Sequence, residues 1–224
     1  FTKNSISIPS VGFVKNLDEN SNLIINGIIN NNFLLEANTF TYKHKQNLFK
    51  GNYKFNNIIN SHYINFNKFI YKKNELIFDV LFNKNLIDIN IFSGILDFTP
   101  FIIFNNNKKK PISSIIVNAN LDKLIIFDNI ELGPTKITSA NINNDLSIIS
   151  NYHASETLGF NIDATNNNSI LSYDFQASNA GHFFKLFGYN TEIKDGVLSS
   201  EGFIGNLDDD NDLMGTFSID NFRI

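Results

Sequence analysis

The side chains best suited to catalysis or metal binding are the four histidines, His44, His62, His153 and His182, and their spacing supports neither role. None falls in an HExxH pattern or a paired spacing. With no cysteine in the chain, a zinc site would need carboxylates that no motif supplies. There is no GxSxG elbow, no Walker-type glycine loop and no GxGxxG after a strand. The run Asp208-Asp209-Asp210-Asn211-Asp212 opens like a calcium loop. However, Leu213 stands where an EF-hand needs Gly and Ile219 where it needs a bidentate Glu, so the run reads as a solvated hairpin tip. Lys108-Lys109-Lys110, set in an Asn-rich loop, reads as solvated loop rather than a headgroup patch. The expectation is a protein that is not an enzyme and carries no cofactor and no metal.

Composition narrows the partners. The 224 residues carry 18 Lys and Arg against 22 Asp and Glu, a net charge of -4, so no basic field exists to hold a phosphate backbone and nucleic acid is not expected as a partner. The 39 Asn and 33 Ile are a bias that A/T-rich codons would write, and 42% apolar residues set the chain apart from disordered polymers. No stretch approaches the ~20 consecutive apolar residues of a membrane helix, and no signal peptide is visible. The start at Phe1 and the strand-like end at Phe222-Arg223-Ile224 lead us to expect a segment of something longer, with any membrane anchor outside it.

The elements that must position any site are strands. Apolar residues recur at every second position in Ile87, Ile89 and Ile91; in Ile115, Val117, Ala119 and Leu121; in Leu158, Phe160, Ile162 and Ala164; in Leu171, Tyr173, Phe175 and Ala177; and in Leu213, Gly215, Phe217 and Ile219. Alternation of this kind gives each strand one apolar and one wet face, which predicts an antiparallel sheet. Candidate strands recur every ten to fourteen residues or so, broken by Asn clusters such as Asn83-Lys84-Asn85, where left-handed turn conformations are tolerated. The fold class expected is all-β: a long antiparallel meander, groove-like or barrel-like, with two short helices. One helix is expected near Pro100 to Phe104 and one from Ala180 to Phe187, capped by Asn179 and ended by Gly188. The loop 105–111 divides an N-terminal β-meander segment, 1–104, from a C-terminal β segment, 112–224.

The C-terminal part resembles a known family. Asp97-Phe98-Thr99-Pro100, a Lys/Pro-rich loop, a strand ending in Leu124-Ile125-Ile126, and Leu132-Gly133-Pro134 follow one another as in the AsmA-like proteins of Gram-negative bacteria, in their YhdP-type branch. The closing phrases are similar too: Ala180-Gly181 before a short helix to Leu186-Phe187-Gly188-Tyr189, then Lys194-Asp195-Gly196-Val197-Leu198, Gly202, and Leu213-Met214-Gly215-Thr216-Phe217-Ser218-Ile219-Asp220-Asn221-Phe222-Arg223-Ile224. Lys194-Asp195-Gly196 has one Gly where the family has two, and Asn221 intrudes before Phe222. The resemblance spans Leu86 to Ile224; the residues before it match in strand rhythm only.

The resemblance implies a segment of an inner-membrane-anchored periplasmic protein whose curled sheet conducts phospholipids between the inner and outer membranes. Acyl chains would be its partners, and the membrane would be reached through regions outside this chain. The lipid-facing wall would be Ile89, Ile91, Val117, Ala119, Leu121, Phe160, Ile162, Tyr173, Phe175, Phe217 and Ile219, with Phe183, Phe184 and Phe187 of the second helix beside them. An apolar wall suffices for such a cargo, because water exclusion is non-directional. The alternatives are a carbohydrate-binding or adhesin-like β-sandwich, and an enzyme with an unrecognised site.

Overall fold

The period-two segments pair as strands. The computed structural model describes residues 6–8, 13–15, 20–30, 33–97, 114–127, 130–142, 145–155, 158–167, 170–186, 188–189, 192–204 and 213–224. The expected first helix, the loop 105–111 and the acidic run 208–212 lie outside them.

Two short strands, β1 (Ile6–Ile8) and β2 (Phe13–Lys15), pair only with each other. A first meander then runs through β3 (Asn22–Asn30), β4 (Phe33–His44), β5 (Asn47–Asn56), β6 (Ser61–Tyr71), β7 (Asn74–Phe82) and β8 (Leu86–Asp97), each antiparallel to the next. The turn at 83–85 shows why Asn marks the breaks: Asn83 Oδ1 accepts from the backbone N–H groups of Asn85 and Leu86, both at 3.0 Å.

The second meander comprises β9 (Ser114–Leu121), β12 (Thr135–Ile142), β13 (Asp145–Ser155), β14 (Leu158–Asn167), β15 (Ile170–Ala177), β16 (Lys194–Ile204) and β17 (Leu213–Arg223). The small hairpin β10 (Lys123–Phe127) and β11 (Ile130–Leu132) lies between β9 and β12 in sequence and keeps their register.

The meanders join through a parallel pair. β9 lies parallel to β8, and β10 pairs parallel with the last residues of β8. The sheet is therefore mixed rather than the purely antiparallel meander expected. Its fifteen strands include thirteen in one continuous order from β17 to β3. Those two strands are not paired with one another, so the barrel-like form is not adopted. Parallel neighbours need a long crossover, and residues 98–113 give the chain the length for one. The sheet runs on across the expected division near 105–111.

Bulges let the first meander keep one face apolar. β8 slips against β7 between Ile91 and Ser93, so Ile87, Ile89 and Ile91 share a face with Gly94 and Leu96 beyond the slip. Gly94 adopts φ 122° there, and a Cβ on it would sit 2.0 Å from the Glu75 carbonyl oxygen.

Helix α1 (Ala180–Leu186) interrupts the second meander between β15 and β16. Asn179 caps it, accepting the His182 backbone N–H at 2.8 Å, and Gly188 ends it at φ 81°. The Gly188 N–H reaches Lys185 O and the Tyr189 N–H reaches Phe184 O, a Schellman closure. The buried core gathers where α1 and the β10–β11 hairpin meet the ends of the strands, around Leu121, Leu124, Leu132, Ala177, Ala180 and Leu198.

Candidate functional site

Residues paired across neighbouring strands share a face of a sheet. Following the pairs outward from β8 therefore sorts the whole sheet. Ile89 pairs with Val117, and Ile91 with Ala119. Ala119 and Leu121 pair with Ile137 and Thr135, which lead through Ser150 and Tyr152 to Ile162 and Phe160. Those two pair with Phe175 and Ala177, which meet Ser200 and Leu198, and these in turn meet Phe217 and Ile219. Tyr173 follows from Ala164 on the same face. The eleven strand residues anticipated as a wall are thus brought to one face by register.

Their enclosure differs. Ile91, Ala119 and Leu121 are buried, whereas Ile89, Val117, Tyr173, Phe175 and Ile219 are half-buried. Phe217 departs from the expected interior: it lies on the common face but is 74% exposed, because β17 ends the sheet and no strand flanks it. Phe160 and Ile162 are placed by backbone pairing alone. Phe187 lies outside the described residues.

Phe183 and Phe184, both half-buried, bring α1 onto this face. The Phe183 ring lies 4.8 Å from that of Phe175, and Ala180 is 0% exposed. The helix thus joins the strand core at one lip of the sheet, the lip formed by the end of β15 and the start of β16.

The first meander holds a part of this face that the sequence reading did not single out. The face continues from Phe78, Val80 and Phe82 of β7 to Phe66, Ile64 and His62 of β6. It is built of aromatic rows running across the strands. Tyr42, Phe49 and Phe69 stack with centroids 5.5 and 4.7 Å apart. Phe66 stacks on Phe78 at 4.6 Å and meets Phe40 edge-on at 5.6 Å. His62 lies between Phe55 and Phe82, 4.8 Å from each, with Tyr53 Oη 2.9 Å from its Nδ1. Burial pushes the Tyr53 phenol pKa up, and which of the two groups donates depends on the imidazole tautomer.

The opposite face carries a polar row, with exposed apolar side chains such as Ile149, Phe203 and Met214 beside or within it. Asn52, Asn65, Asp79, Asn90 and Asn118 fall in one cross-strand row. Asn90 Nδ2 donates to Asp79 Oδ1 at 3.1 Å, and Asn118 Nδ2 donates to Asn90 Oδ1 at 3.2 Å. Tyr63 donates to Asp79 Oδ2 at 3.0 Å; burial first, then that carboxylate, raises its pKa. Further along the row, Asp163 pairs with Asp174 and Asp174 with Glu201, and the last two line an open recess of about 760 Å³ with Ser172, Phe203, Met214 and Thr216.

Among the described residues no group of three or more His, Asp or Glu could hold a metal ion, and no helix is long and apolar enough to cross a membrane. The two faces define a large, open, mostly β sheet with one apolar side and a polar row on the other. No family model, curated protein or solved structure matches the chain.

Proposed function

We propose that the chain is a non-enzymatic segment of a lipid-conducting protein, with the apolar face as its acyl-chain path. The supporting observation is how little of the described chain covers that face. The chain exposes 15088 Å², roughly half again the ~10,300 Å² that a compact monomer of its mass presents. Among the described residues, α1 is the one element outside the two sheets, and it packs at one lip, while the β10–β11 hairpin extends the main sheet beside the end of β8. A β-sandwich would set a second sheet against this face, and β1–β2 is the one other sheet described.

In this reading the sheet curls lengthwise into an open groove. Thirteen strands in one order would give a path of roughly 58 Å at the usual interstrand spacing. Each ~100 Å² of acyl surface laid on the wall would contribute about 2.5 kcal/mol. The acidic and amide rows would keep the outer face in water. An inner-membrane anchor outside this chain, a periplasmic location and transfer of phospholipid between two membranes belong to the same proposal and rest on the AsmA-like resemblance.

Native mass spectrometry of the chain extracted in mild detergent tests the reading. We expect co-purifying phospholipid, and its loss when Ile89→Asp and Val117→Asp put carboxylates in the wall. A folded protein with no bound lipid, or lipid held equally by the double variant, would refute it.

A further inference from the structure

Among the described residues, a polar pair lies on the apolar face near the lip away from α1. His62 is the second residue of β6, beside the last paired residues of β5 and β7, at the end of the strands away from α1. Tyr53 Oη lies 2.9 Å from His62 Nδ1, so with the phenol donating, the imidazole N–H resides on Nε2. Among the described residues no hydrogen bond engages Nε2. The ring is half-buried and flanked by Phe55 and Phe82, which fix its plane. A wall built only to touch hydrocarbon would place Phe or Leu here, as at Phe66 and Phe78 two rows further in.

Resting on the lipid-groove reading, we infer that the Tyr53–His62 pair is a headgroup contact, whose Nε2–H donates to an anionic oxygen of a phospholipid lying with its acyl chains over Phe66 and Phe78. The position fits the two-part chemistry of such a ligand. Acyl chains take the aromatic rows toward the middle of the strands, while the phosphate stays near the lip, where water completes its solvation. Tyr53 orients the ring and fixes its tautomer. A hydrogen bond to a charged acceptor is among the stronger protein contacts, so the pair would favour lipids bearing phosphate over neutral lipids with the same tails.

The test compares phosphatidic acid with diacylglycerol of identical chains, each added to the full chain in detergent and scored by native mass spectrometry. The wild type should prefer phosphatidic acid by about tenfold. His62→Phe keeps the stacking and Tyr53→Phe removes only the orienting hydroxyl; each should bring the ratio toward one by weakening the binding of phosphatidic acid. A preference unaltered in both variants would overturn the inference and leave the groove standing. No binding of either lipid by the wild type would instead defeat the groove reading. Displacement of phosphatidic acid by millimolar inorganic phosphate would also overturn the inference, by showing a site for free phosphate rather than for a lipid.

Discussion

The two meanders keep one face apolar by different means. In β3–β8 the face is aromatic, and Phe49, Phe66, Phe69 and Phe78 shield each other sideways with no second layer among the described residues. In the second meander, where α1 packs on the sheet and the β10–β11 hairpin extends it beside β8, the face narrows to Ala119, Ala177 and Leu198, with Ala180 and Gly181 on the helix side. A Cβ on Gly181 would lie 2.4 Å from the Ile193 carbonyl oxygen, so this contact admits no side chain. Small residues allow close approach, whereas wide flat rings cover what nothing else covers. Under the proposed function, the second meander is filled there by the protein itself and the aromatic face of the first is where a guest would lie.

Truncation should expose that difference most strongly. Leu132 in the hairpin is 1% exposed, and Leu132→Ala should cost about 2–5 kcal/mol in urea unfolding. Phe66→Ala removes a larger side chain from the half-buried rows and should cost only about 1–2 kcal/mol, because part of its surface already meets solvent. Equal losses would mean that the aromatic face is also covered. Removing the helix cap comes next. Asn179→Ala should cost about 1 kcal/mol, with fluorescence of the Phe183 neighbourhood or local hydrogen exchange reporting looser docking of α1.

The smallest effect should come from the Asp195–Arg223 ion pair between β16 and β17. The hydrogen bond from Arg223 holds the Asp195 carboxyl below its ordinary value of 3.8. A depressed carboxylate adds stability above its unfolded pKa and loses it as pH falls through the folded one. The melting temperatures of wild type and Arg223→Gln should therefore differ slightly at neutral pH and converge below about pH 4. Both side chains are exposed, which keeps the gap small.

Much of the second meander was legible because its strands pair with little irregularity. Along β12, β15, β16 and β17 the ladders show no slip and the alternation in sequence is the alternation in space, so Phe175 and Ile219 could be assigned to one face unaided. The first meander hid its face behind bulges. In β6 the inward residues run Ile64, Phe66, then Phe69 and Tyr71, because the ladder slips at Asn67-Lys68 and the parity of the pattern reverses mid-strand. Similar slips at Ala37/Phe40 and Ile77/Phe78 hid the aromatic rows from a period-two reading. The parallel joint was illegible for another reason: nothing local in β8 or β9 specifies a partner across a long crossover. α1 was readable from Asn179 and Gly188, since caps are local chemistry.

The central claim, one apolar face running through both meanders as a lipid path, is tested most directly by site-specific photo-crosslinking to phospholipid at two neighbouring pairs of positions. Phe66 and Val117 lie on the apolar face, and Asn65 and Asn118 one residue away lie on the polar face. A photoreactive residue at Phe66 or at Val117 should label lipid, while at Asn65 or Asn118 it should label little. Equal labelling on both faces, or labelling at Val117 with none at Phe66, would contradict a single continuous path.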